Sequence, residues 1–119
     1  MKTKFFFLLL LTYFLVISAQ EITGSWKGEL EIQGAKLPLI VHFSKYDSVY
    51  KGTLDSQNQG ATGIPMDKVE FNDKKVSFEI KSIGLQYNGT LKDKKVDGTF
   101  SQNGFSTNLS FDFYENKIP

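Results

Sequence analysis

The chain has 119 residues, with no cysteine and no arginine; its 14 basic residues are all lysines, set against 13 acidic ones. Without cysteine, disulfide stapling and lipid attachment at a leader cysteine are excluded. A near-neutral chain lacking arginine also argues against a nucleic-acid partner, because phosphate and guanine recognition lean on guanidinium groups.

Lys2 and Lys4 precede an apolar run, Phe5 to Ile17, broken only by Thr12 and Tyr13, and Ser18-Ala19 places small residues ahead of Gln20. This is the pattern of a cleaved secretory signal peptide over residues 1–19. The run is short for a membrane span. The expectation is a periplasmic or extracellular protein with one domain over residues 20–119 and no membrane span after cleavage. A domain of that length, without disulfide or metal, has room for a single core.

Gly24 to Ile32 alternates cleanly, with Trp26, Gly28, Leu30 and Ile32 on one face and Lys27, Glu29 and Glu31 on the other. That is the signature of a half-buried strand. Gln33-Gly34-Ala35 turns the chain into a second strand, Leu37 to Ser44, where Pro38 belongs at the start or a bulge because it cannot donate a ladder bond. Lys45 to Ser48 leads to a third strand, Val49 to Asp55. Ser56 to Pro65 then lacks both alternation and charge, and reads as a long loop; loops longer than the usual two to five residues of a hairpin tend to be functional. Five further strands follow: Met66 to Phe71, Lys75 to Ile80, Leu85 to Leu91, Val96 to Ser101 and Phe105 to Phe113. Asn103-Gly104 gives a strong hairpin signal between the last two.

Four strands place a glycine between large residues on one face, at Gly28, Gly52, Gly89 and Gly98. Mid-strand glycines mark bends where a sheet curls. The expected fold is therefore all-β: a small eight-stranded antiparallel up-and-down, calycin-like barrel. Trp26, Phe43, Tyr50, Phe78, Tyr87 and Phe100 point inward and fill an interior that at eight strands holds side chains or one small ligand. Eight strands sort the loops into an uncharged end, rich in Gly, Gln and Ser apart from Lys81, and a lysine-bearing end that also holds both termini.

Within the long loop, Asp55 and Ser56 can bond nearby backbone N–H groups, Gly60 and Gly63 permit positive φ and can expose backbone donors, and Pro65 sends Ile64 back into an extended conformation. The candidate binding residues are Asp55, Ser56, Gln59, Gly60 and Gln102 at the uncharged end. His42 is the only histidine. With no carboxylate at ligand spacing, no metal site and no cofactor are expected. Asp55, Ser56 and His42 supply the residue types of a hydrolytic triad. Without a Gly-x-Ser-x-Gly turn or any sign that they converge, the expectation is a non-enzymatic protein.

Leu54-Asp55-Ser56, Gln59-Gly60-Ala61 and Gly63-Ile64-Pro65, with Gly24-x-Trp26-x-Gly28-x-Leu30, Leu37-Pro38-Leu39, Tyr87-x-Gly89 and Gly98-x-Phe100-x-Gln102-x-Gly104, resemble the β-rich N-terminal domain of some secreted bacterial serine hydrolases. That domain precedes an α/β-hydrolase or β-lactamase-like domain. Gln57 and Asn58 depart from the Pro-Asp of that pattern, and Asn108 replaces a proline. Because the chemistry of the family resides in the following domain, the resemblance implies an accessory or binding module. Its expected partner is a secreted serine hydrolase, or a cell-envelope glycan or peptide. Gly24-Ser25-Trp26 is also similar to the first strand of lipocalin and avidin barrels, which leaves a carrier of a small apolar ligand as the alternative. The volume of the interior separates the two.

Overall fold

The computed structural model describes residues 21–114, so the expected signal peptide lies outside the described residues. Apart from two single 3₁₀ turns, Gln57–Gln59 and Lys81–Ile83, the regular structure is strand: β1 (Gly24–Ile32), β2 (Ala35–Tyr46), β3 (Val49–Ser56), β4 (Ala61–Pro65), β5 (Lys68–Asn72), β6 (Lys75–Ile80), β7 (Leu85–Lys92), β8 (Lys95–Gln102) and β9 (Phe105–Phe113). They form one sheet in the order β4-β3-β2-β1-β9-β8-β7-β6-β5. Every pairing is antiparallel.

The all-β class and the meander agree with the sequence, but there are nine strands rather than eight, and the sheet is a half-barrel rather than a closed barrel. Two local causes account for the difference. Half of the expected long loop is strand: Gly60 takes a left-handed conformation (φ 68°), after which Ala61 pairs with Ser56 and Ile64 with Leu54. Pro65 then supplies no N–H, and the next two amides part company. Met66 N–H donates to Gly52 O at 2.9 Å, and Asp67 N–H to Glu79 O at 2.8 Å. The chain thus leaves β3 and joins β6, and β4 and β5 become the two edges of the sheet. Closure between the ends of the chain does occur, through Trp26↔Phe113 to Gly28↔Phe111.

The inward faces meet in one cluster that includes Trp26, Phe43, Phe78, Tyr87, Phe100 and Phe111, all buried, with Tyr50 packed against it half-buried. The Phe78 and Tyr87 rings stack at 5.3 Å, and Phe111 meets Tyr87 edge-on at 5.2 Å. Buried hydroxyl and indole groups need partners. Tyr87 O–H donates to Leu109 O at 2.7 Å, and Trp26 Nε1–H to Ile22 O at 2.9 Å. The inward glycines admit close approach: a Cβ on Gly98 would sit 2.6 Å from the Tyr87 hydroxyl. Its cross-strand partner is Gly89.

The turns sort as the sequence implies, because β4 and β5 follow one another in the same direction: Ala61 lies opposite Ser56 and Asn72 opposite Lys75. Gln33-Gly34, Gln57–Gly60, Lys81–Gly84 and Asn103-Gly104 share one end of the sheet. Asp47-Ser48, Asp73-Lys74 and Asp93-Lys94 share the other, where Tyr114 N–H reaches Ser25 O at 2.8 Å. No helix among the described residues is long and apolar enough to cross a membrane.

Candidate functional site

At the uncharged end, internal bonds fix the predicted residues one by one. Ser56 is 3% exposed, and its hydroxyl donates to Gln59 Oε1 at 2.8 Å. Gly60 N–H closes the 3₁₀ turn on Gln57 O at 3.0 Å, and Gly63 N–H is held by Asp55 Oδ1 at 2.6 Å. The two glycines do have positive φ, as expected, but their N–H groups are already bonded and form no open cradle. Gln102 Nε2 donates to Ile83 O at 3.0 Å, tying the β8–β9 hairpin to the 3₁₀ turn Lys81–Ile83. Asp55, Ser56, Gln59 and Gly60 therefore sit together around one turn. Gln102 belongs to a second cluster at the same end. Phe105 lies opposite Gln102 in the β8–β9 ladder and is 41% exposed; the sequence reading passed over it.

Asp55 also belongs to a second arrangement, on the outer face of the sheet. Its Oδ2 accepts from His42 Nε2 at 2.8 Å, and His42 Nδ1 lies 2.7 Å from Ser25 Oγ. Aspartate and histidine thus do converge, but with Ser25 rather than Ser56, which points into the core. Strand register explains the row. Ser25 is directly opposite His42, and Asp55 stands two residues from Thr53, the partner of His42 on β3. Their neighbours Trp26, Val41 and Leu54 are buried, so alternation turns the three polar side chains outward. Burial works against the charge on Asp55, yet the Gly63 N–H and His42 more than offset it and hold its pKa below the ordinary 3.8.

A groove of about 620 Å³ borders His42 along the open seam, lined by Tyr50, Thr53, Pro65, Met66 and Lys68. Beneath it the Tyr50 and Phe71 rings meet edge-on at 5.9 Å and bridge β3 to β5. Among the described residues no group of three or more His, Cys, Asp or Glu side chains could hold a metal ion. Compared with known proteins, the chain matches no protein-family model, no curated protein and no solved structure. The likeness to hydrolase N-terminal domains rests on the motif residues alone.

Proposed function

We propose that the protein is a secreted accessory domain that binds a neutral, carbonyl- or hydroxyl-rich ligand, peptide or glycan, at the uncharged end of its sheet, and that it works beside a secreted serine hydrolase. The observation that carries this reading is the state of two glutamines. Gln59 receives the Ser56 hydroxyl at Oε1, so its NH₂ remains to donate; Gln102 spends Nε2 on Ile83, so its Oε1 remains to accept. A fixed donor and a fixed acceptor, with the exposed Phe105 ring as an apolar surface, suit a neutral polar chain better than an ion. Asp55, Ser56 and Gly60 act as the supports that hold this end in shape.

The signal-peptide pattern over residues 1–19 supports export, to the periplasm or beyond. The lysine-bearing end, where β1 begins and Tyr114 leaves the sheet, is where a tethered hydrolase domain would attach, opposite the binding end. A carrier of a small apolar ligand has less support, because aromatic side chains occupy the interior.

The test is a binding screen of the immobilised protein against cell-envelope glycans, peptides and secreted hydrolases. Each lost hydrogen bond is worth about 0.5–1.5 kcal/mol, so Gln59→Ala and Gln102→Ala should each weaken a hit by up to about tenfold. Lys74→Ala and Lys94→Ala should leave it unchanged. Binding that survives the glutamine changes and disappears with the lysine changes assigns the opposite end and overturns the reading.

A further inference from the structure

Binding at the uncharged end makes no use of Ser25 or His42, yet the protons of the outer-face row are ordered. An ionised carboxylate only accepts. With Asp55 held ionised, the 2.8 Å contact at His42 Nε2 places a proton on Nε2. In the neutral imidazole Nδ1 is then a bare lone pair, and the 2.7 Å contact to Ser25 is the Ser25 hydroxyl donating to it. Nucleophile, base and orienting acid stand in hydrogen-bonded sequence, and the acid is itself positioned by Gly63 N–H.

The row is accessible. The His42 side chain is 35% exposed, whereas Asp55 is 17% exposed, so solvent and small molecules reach the base more readily than the acid behind it. The seam groove borders His42, and a second groove of about 440 Å³, lined by Lys27, Ser110, Asp112 and Tyr114, lies beyond β1 on the β9 side. Ser25 is half-buried on β1, and the residues beside it, His42 across the ladder and Lys27 two positions along the strand, line the two grooves.

We propose that Ser25 is an activated nucleophile that accepts an acyl group from small esters with good leaving groups. Ser25 Oγ adds to the carbonyl carbon as its proton passes to His42 Nδ1. The bond from that carbon to the leaving oxygen then breaks, and His42 returns the proton to the departing alkoxide or phenolate. The products are a Ser25 ester and the free alcohol or phenol. The good leaving group departs far more readily than the Ser25 alkoxide, so acylation outruns hydrolysis of the Ser25 ester and the outcome is one acylation per chain rather than rapid turnover.

The experiment incubates the protein with p-nitrophenyl acetate at neutral pH, follows nitrophenolate release, and locates the acetyl group by intact mass and peptide mapping. The expected result is a burst of one nitrophenolate per chain and one acetyl group on Ser25. Ser25→Ala should abolish the burst, and His42→Gln, which keeps a hydrogen-bonding side chain but no base, should slow it by at least about 100-fold. Both variants are to be checked for an unchanged circular dichroism spectrum; if either is unfolded, the rate of Ser25 acetylation in the unaltered protein against that of its denatured chain decides instead. Equal rates in folded and denatured chain, acetylation confined to lysines, or a burst unaffected by His42→Gln would each leave the row as a cross-strand support only and overturn the proposal.

Discussion

Replacing Asp55 by alanine should remove two bonds at once, one to the backbone of β4 and one to a side chain of β2. The Gly63 N–H is held at 2.6 Å and His42 Nε2 at 2.8 Å. A hydrogen bond to a charged group is worth about 1.5–3 kcal/mol. Gly63 is solvent-accessible, so the lower end applies, and the partly exposed His42 contributes about 0.5 kcal/mol. The loss is then about 2 kcal/mol, which in a domain of this size lowers Tm by about 8–16 °C. Asp55→Asn retains an acceptor for Gly63 and should lose about half as much. The effect has a pH signature with a definite sign. A carboxyl whose folded pKa is depressed contributes stability that is present above its unfolded pKa and is lost as the pH falls through the folded value. The gap between wild type and Asp55→Asn should therefore be full at neutral pH and narrow below the ordinary 3.8. Thermal unfolding followed by circular dichroism reads all of this. A Tm for Asp55→Ala within a degree or two of wild type at neutral pH would show that neither β4 nor His42 depends on the carboxylate.

Trp26, 2% exposed and bonded through its indole to Ile22, should cost about 3–5 kcal/mol on truncation to alanine in a denaturant titration. Gly60→Val should cost about 1–2 kcal/mol from left-handed strain alone, because nothing lies within 4 Å of the added Cβ; Gly63, with φ 66° and equally open space, should behave alike. Gly98→Ala should destabilise by about 1–3 kcal/mol, because its Cβ would collide with the Asn88 carbonyl and the Gly89 Cα as well as the Tyr87 hydroxyl, and most of the loss should remain in a Tyr87→Phe background because the backbone contacts persist. Burial pushes the Tyr87 phenol above its ordinary 10.0, so its protonated form is worth stability that is complete below that value and fades as the pH rises through the folded one. In an alkaline absorbance titration Tyr87 should ionise only with unfolding.

The fold was legible wherever alternation was strong. Trp26-x-Gly28-x-Leu30 and Val76-x-Phe78-x-Ile80 announce their inward faces, and both are buried as read, with Gly28 packed against the Ser110 carbonyl and the Phe111 ring of β9. β4 was not legible, because Ala61-Thr62-Gly63-Ile64-Pro65 offers only one large apolar side chain. It is a strand because the edge of β3 supplies partners, not because its own residues prefer extension. The open seam was equally hidden. It follows from Pro65 and from the division of the next two amides between Gly52 and Glu79, a choice that no local pattern encodes. Gly52, expected at a bend, makes room for the crossing chain: the Met66 sulfur occupies the space where a Cβ would stand.

The outer row was half legible. Residue types alone offer Asp55, Ser56 and His42 as a triad, with no sign in the sequence that they converge. Alternation assigns Ser56 to the same face as Leu54 and so to the interior. The serine that fits is on another strand, found only by setting Trp26 against Val41, which brings Ser25 opposite His42. The same register has a mechanical consequence. β4 is the edge strand with only three register pairs and an irregularity between Leu54 and Ser56. Its backbone is tied back by Asp55, through His42, to Ser25 on β1. Asp55 is thus shared between the turn that shapes the uncharged end and the row that faces outward. A perturbation of either should be felt at the other, and more strongly than at Gln102, whose own tie runs to Ile83 on the far side of the sheet.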